Sequence, residues 1–486
     1  MTTALTTSTR NLLRVAKNAL SLFSGSIAVR LANVLFTSAI VRHLSTTDYG
    51  VYSTILSFLA VGGLVAEFGL SQVLVREIAQ QKDKISELLS GAILMAVPLV
   101  MIAVGGTITA AVVSGYSLAL CTLLAFSSIA IFTNTLGLLA GTVLRAFERM
   151  EVLSLVNSGV LIVSVAIGIF WLEYGAGLQE LTVLLVVTSV VNSLFMLICI
   201  RRYWAGFALM QALQVGKGLL SSAVPIAIFG LCNVILQRFD VLLLSRSWGM
   251  SEAGTYSAAL AITEALALII QSVVGAVFPF MAVRWPESAV DTMRSYEQTL
   301  RFLVVVGMAI AAGVFLLADK MVLLLYDERY LGTMVCLRIV IWSFTLNALG
   351  GPVGMLLVVT KDRLVRYVPY ALVVTVISVL LNVWLTPRFG YIAAGGITVL
   401  VSALLFISKI LALSKILPAR PQWLKIAWRS MIAATLMGGT LWKFRNHSLI
   451  MLIIVGFAVY SVALVALGEF KEEYRTIRRY LRKSKA

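Results

Sequence analysis

About fourteen stretches of this chain stay apolar for some twenty residues or more, the length a helix needs to cross roughly 30 Å of hydrocarbon at about 1.5 Å per residue. They cover approximately 18–41, 51–75, 88–112, 117–144, 152–172, 181–200, 218–244, 254–283, 300–318, 332–359, 367–386, 391–414, 424–442 and 448–468. In lipid every backbone amide must find its partner internally, so such runs fold as helices; a barrel would alternate apolar and polar residues instead. Of the 486 residues 60% are hydrophobic and 13% charged, which excludes a soluble enzyme and a disordered chain alike. The expected fold is an all-α polytopic membrane protein with about 14 transmembrane helices.

The net charge of +17 raises the question of nucleic acid, and the distribution of the cations answers it. With the N-terminus placed in the cytoplasm, 29 of the 39 Lys and Arg residues fall in cytoplasmic segments. Seven fall in the opposite loops, and Arg30, Arg238 and Arg338 lie within spans. A bias of this size in short loops sets orientation, so both termini are expected in the cytoplasm and no nucleic acid is expected as a partner. Arg10, Arg14 and Lys17 precede an apolar run without a small-residue cleavage site, which reads as an uncleaved first helix. The four cysteines each sit inside an apolar run, with neither disulfide nor metal-ligand spacing.

The chain repeats itself. Arg42, Asp48, Gly50, Tyr52 and Ser53 are followed, 204 residues later in each case, by Arg246, Glu252, Gly254, Tyr256 and Ser257. A fixed offset of this kind predicts two homologous halves related by an axis along the membrane normal, a common plan among transporters. The expected organisation is a cytoplasmic tail (1–17), a six-helix bundle (18–202), a cytoplasmic linker (203–217), a second six-helix bundle (218–415), helices 13 and 14 (416–468) and a basic tail (469–486).

At these same positions the sequence resembles a known family. The stretch Leu44-Ser45-Thr46-Thr47-Asp48-Tyr49-Gly50-Val51-Tyr52, then Glu67-Phe68-Gly69-Leu70 and Val75-Arg76-Glu77-Ile78-Ala79, is similar to the N-terminal signature of a superfamily branch. That branch is the polysaccharide exporters of the multidrug/oligosaccharidyl-lipid/polysaccharide (MOP) superfamily, which includes Wzx-type O-antigen flippases. Arg238-Phe239-Asp240, Glu252 to Ala259 and Leu323-Leu324-Leu325-Tyr326 with Tyr330 are similar to its second half. The resemblance implies a V-shaped pair of bundles with a cationic central cavity. It implies a flippase, not an enzyme, that moves an undecaprenyl-diphosphate-linked oligosaccharide outward across the bacterial inner membrane. Implied partners are the polyprenyl-diphosphate-linked glycan, membrane lipids and other polysaccharide-assembly proteins.

Polar residues at membrane depth are the candidate site, because each ionisable group there costs about 2.5–3.5 kcal/mol on insertion scales. Ser26, Arg30, Asn33 and Thr37 form one stripe of the first span, with Arg30 either in a cavity or in a structural pair. The seventh span carries Asn233, Gln237 and Asp240 on one face, with Arg238 about 140° from Asn233 at ~100° per residue. Arg238 and Asp240 therefore cannot both face a cavity on a regular helix, and an ion pair between spans is the alternative. Ser257, Glu264 and Gln271 share a face of the eighth span, where Glu264 either exchanges protons or neutralises an arginine. Glu67, in a span interrupted by Gly62, Gly63 and Gly69, is a gate or an interface residue. Arg338 lines the cavity or snorkels to the interface. The expected substrate-binding residues are Arg30, Asn33, Thr37, Gln237, Arg238 and Arg338, whose guanidinium groups suit phosphate oxygens. The expected coupling or gating residues are Glu67, Asp240 and Glu264.

No cofactor or metal is expected. Outward movement of one negative charge across a cell-negative membrane gains about 2.3 kcal/mol per 100 mV, so export runs on membrane potential, with proton or sodium antiport as the alternative. A drug/cation antiporter of the same superfamily is the nearest competing reading. A membrane-embedded glycan polymerase or glycosyltransferase is the more distant one, because no large outer loop is present.

Overall fold

A computed structural model describes residues 32–204, 206, 209–285, 288–360, 362–414 and 423–469. These residues are helical almost throughout, without a strand among them. Helix α1 occupies 32–43 of the described chain. It is followed by α2 (Thr46–Glu67), α3 (Leu70–Gln80), α4 (Ile85–Val113), α5 (Leu118–Ser127), α6 (Ile129–Ala146), α7 (Met150–Glu173) and α8 (Leu178–Ile200). Then come α9 (Leu209–Ser247), α10 (Met250–Arg284), α11 (Ala289–Leu325), α12 (Leu331–Val359), α13 (Asp362–Leu413), α14 (Trp423–Lys443) and α15 (Leu449–Ala466). Among the described residues eleven segments are long and apolar enough to span a membrane. The expected runs 367–386 and 391–414 share α13, which is broken at Gly390 (φ +62°). The run 424–442 is helical as α14 but is not among the eleven. Most of the first expected run lies outside the described residues.

Serines open several helices by accepting from a free amide of the first turn. Ser45 accepts from the Asp48 N–H (3.1 Å) at the start of α2 and donates to the Asp48 carboxylate (2.6 Å), and Ser288 accepts from Asp291 N–H (3.2 Å) at the start of α11. α9 begins within the segment expected as a linker, where Leu209, Met210, Ala212, Leu213 and Lys217 are all strong helix formers. Large apolar side chains face outward along the bundle: Met101, Leu155 and Ile450 are 71–75% exposed. In water that surface would aggregate; in lipid it is the expected covering.

Contacts divide the chain into two compact units. The first takes residues up to Ser257 together with Thr375–Tyr391. Its core packs Leu70, Leu74 and Ile78 of α3 against Leu89 and Ala92 of α4, Leu139 and Val143 of α6, Ile200 of α8 and Ala223 of α9. The Trp248 indole N–H donates to the carbonyls of Thr386 (2.9 Å) and Pro387 (3.2 Å), fixing the start of the Gly390 break.

The second unit takes Ala258–Val374 and the chain from Ile392 onward. There α11 packs with α12 and α13 through Leu300, Val304, Leu356, Tyr367 and Phe406. α14 and α15 dock on α11 through Leu317, Ala433, Met437, Leu452 and Leu464. Charged clamps hold both ends of this appendage. Glu469, 1% exposed, accepts from Arg301 (2.6 Å) and Arg429 (3.1 Å), and Arg445 reaches Asp319 (2.5 Å) at the other end. Removing one partner of so buried a carboxylate costs about 3–5 kcal/mol.

Candidate functional site

The repeated segments meet each other. α2 and the start of α10 cross within the first unit, and the crossing is built from glycine. A Cβ on Gly50 would overlap the Met250 carbonyl and stand 3.1 Å from Gly254 N. A Cβ on Gly254 would overlap the Thr46 carbonyl and stand 3.0 Å from Gly50 N. Under the 204-residue offset Gly50 maps to Gly254 and Thr46 to Met250, so the two contacts are one contact seen twice. Ser257 Oγ donates to Ser53 Oγ at 3.0 Å, joining two positions that map onto each other. The hydroxyls of Thr46 and Ser251 lie 2.9 Å apart beside them. This reciprocity is the geometry of a local two-fold axis, and any side chain larger than hydrogen at its centre would push the backbones apart.

One turn further on, the repeat is no longer symmetric. Tyr256, fully buried, donates its hydroxyl to the Asp240 carboxylate, whose other oxygen accepts from the Val241 N–H at 2.8 Å. Asp240, 7% exposed, therefore ties α9 to α10. Of the two residues weighed on this helix, Asp240 makes a contact between helices. α9 stays helical through Pro225.

The same first unit holds a cavity of about 410 Å³ between α2, α6, α7, α8 and α9. One face of α6 supplies Asn134, Leu138, Gly141 and Arg145, spaced i, i+4, i+7 and i+11. Asn157 of α7 and Asn192 of α8 add two more amides, and Glu67 closes the α2 side. Glu67 is the last residue of α2. Directly after it Phe68 (φ +47°) and Gly69 (φ +73°) are left-handed, and α3 starts afresh. Gly69 has no room for a side chain either, since a Cβ would lie 2.9 Å from Ile226 of α9. The interruption falls directly after Glu67, and Ser71 of α3 donates to its carboxylate across the gap. Broken spans with polar groups at the break are where membrane transporters place their ligands. The Asn192 Oδ1 atom is buried without a hydrogen-bond partner among the described residues.

Of the residues expected to bind substrate, Arg30 lies outside the described residues. Asn33 is exposed and Thr37 half-buried on α1. Gln237 is exposed and Arg238 half-buried on α9. Arg338 sits elsewhere, in the second unit: its Nε donates to the Phe315 carbonyl at 3.2 Å, in a cleft shared with Trp442 and Arg445. Glu264 is exposed on the part of α10 that belongs to the second unit. Among the described residues, Glu67 is the expected one that lines the amide-bearing cavity.

Residues 15–284 match the family model described as polysaccharide biosynthesis protein, more than half the chain. The chain belongs to that family. The matched stretch of this polysaccharide biosynthesis protein contains the glycine crossing and the whole amide-lined cavity, and ends before Arg338. No curated protein matches it significantly. Its fold is that of MOP superfamily transporters. It is similar to a structure of the lipid II flippase MurJ in an inward closed conformation (TM-score 0.77, 13% identity, 93% of this chain and 99% of that one). It is also similar to a multidrug resistance MATE family transporter in an inward-facing conformation (TM-score 0.61, 15% identity, 84% and 98%). A third likeness is to a MOP superfamily transporter from Pyrococcus furiosus (TM-score 0.52, 15% identity, 85% and 95%).

Proposed function

We propose that this polysaccharide biosynthesis protein is a flippase. Its cargo is a polyprenyl-diphosphate-linked oligosaccharide, the repeat unit of an O-antigen or another surface polysaccharide, moved from the inner to the outer leaflet of the bacterial cytoplasmic membrane. The observation that carries this reading is the local two-fold at Gly50 and Gly254. It joins repeat-related helices as expected of a transporter built from two homologous halves, within a family named for polysaccharide biosynthesis. The likeness to a structure named as a lipid II flippase adds a precedent for lipid-linked cargo on this fold.

With both termini in the cytoplasm, the Gly50 crossing lies toward the outer side and Arg145 toward the inner one. Alternating access then opens and shuts these ends in turn. Arg30, Arg238 and Arg338, with Asn33, Thr37 and Gln237, replace the hydration of the diphosphate, while the prenyl tail stays in lipid. Asp240, Glu67 and Glu264 serve coupling or gating, with membrane potential as the drive and a proton or sodium ion as counter-cargo in the alternative. Glycosyltransferases and a polymerase supply and consume the cargo.

The test is replacement of the chromosomal gene by Arg30→Ala. Surface polysaccharide is expected to be lost while the protein remains in the membrane and the lipid-linked glycan accumulates on the inner leaflet. Normal surface polysaccharide in a full deletion would overturn the reading.

A further inference from the structure

We infer that the cavity at the α2 break is a subsite for the neutral sugar residues of the cargo. The inference rests on the flippase reading and adds to it which part of the cargo the first unit reads. Size excludes the simplest alternative. A bare cation is held by oxygens at about 2.0–2.6 Å, whereas a space of about 410 Å³ falls in the range of about 300–1,000 Å³ that small organic ligands occupy.

Charge points the same way. Among the described residues the lining carries one carboxylate, Glu67, and one guanidinium, Arg145, which offset each other. Three amides, Asn134, Asn157 and Asn192, make up most of the remaining polar lining, set among apolar residues such as Leu59, Leu138 and Met196. An amide offers two donors and an acceptor with two lone pairs, matching a hydroxyl that both donates and accepts. The buried Asn192 Oδ1 has no partner among the described residues, and an acceptor left so costs about 1–3 kcal/mol until a donor arrives. A sugar O–H supplies one. The site is also long: Asn134 and Arg145 are eleven residues apart on one face of α6, about 16 Å along the axis, enough for more than one ring. At the break, Ser71 holds one oxygen of Glu67 and leaves the other for a second hydroxyl.

Binding to the purified full-length protein in nanodiscs tests this, with undecaprenyl diphosphate alone and the same lipid bearing a single glucose, galactose, rhamnose or N-acetylglucosamine as probes. The wild type is expected to bind at least one glycosylated lipid about ten-fold more tightly than the bare one, the worth of one or two net hydrogen bonds. In Asn157→Leu/Asn192→Leu that preference should vanish while the bare lipid binds as before. Asn157→Ala, at an exposed position, serves if the double variant does not fold, with a partial loss expected. Retention of the full preference in either folded variant overturns the subsite, as does equal binding of all five lipids by the wild type. Failure of the wild type to bind any of the lipids would instead overturn the flippase reading itself.

Discussion

The span made of α2 and α3 runs Thr46–Gln80, and α10 runs Met250–Arg284, so the two share both ends under the 204-residue offset. Their first turns are near copies that cross at glycine. Their later turns differ. Where α2 breaks at Phe68 and Gly69, α10 continues through the equivalent Ser272 and Val273, and Gln271 stands in the place of Glu67. Folding therefore does not require the break, since a span of the same length does without it. A left-handed conformation at a residue with a side chain costs about 1–2 kcal/mol, and strain that one repeat carries and the other lacks marks a function rather than an architecture. The first half holds the amide-lined cavity behind its break. The corresponding part of α10, with α11, borders a groove that sets Ser295, Gln298 and Thr299 beside Val273, Val277, Phe280 and Phe302, with no asparagine and no charged group among its described residues.

The largest effect should come from the part the two spans share. Gly50→Val and Gly254→Val each drive a side chain into a backbone carbonyl, and both should lose most folded protein and most export, to the same degree. A marked inequality in membrane yield or melting temperature would break the two-fold. Next comes the difference itself. Gly69→Ala is expected to destabilise by about 1–2 kcal/mol through its left-handed φ, with crowding by Ile226 added. Val273→Ala should cost about 1 kcal/mol or less; unfolding in mixed micelles ranks the pair. Glu67→Gln should lower surface polysaccharide several-fold with little change in melting temperature, whereas Gln271→Ala leaves the polysaccharide level unchanged. Equal effects would show that the break is not where the halves diverge in function. The smallest effect is the coupling between Thr46 and Ser251, about 0.5–1 kcal/mol in a double-mutant cycle of alanine substitutions.

Helix content and the repeat were legible in the sequence because each depends on many residues in a regular pattern. Hydropathy marks a span by twenty residues together, and the 204-residue offset joins five identities or near-identities without a gap. The crossing of the two copies followed from neither. It rests on two hydrogens where side chains would be, and glycines are frequent throughout the chain. The break was half legible. Gly62, Gly63 and Gly69 all suggested an interruption, but Gly62 lies buried inside a continuous helix against Ile131 and Thr107, and only the Phe68–Gly69 step leaves the helix. The cavity was least legible. Asn134, Asn157 and Asn192 sit singly in three apolar runs, and Arg145 looks like one more loop cation. The spacing of Asn134 and Arg145 on one face of α6 was the available signal. Charges drew attention to Arg338 and Glu264, which belong to the second unit, whereas Glu67 belongs to the first.

The reciprocal contact at Gly50 and Gly254 has the form of an isologous interface between two subunits, here linked covalently by the intervening chain. In a dimer of identical chains an altered residue is altered twice, so a helix interruption with its polar chamber would appear on both sides or on neither. A tandem chain lifts that constraint: one copy is free to specialise while its twin keeps the unbroken form.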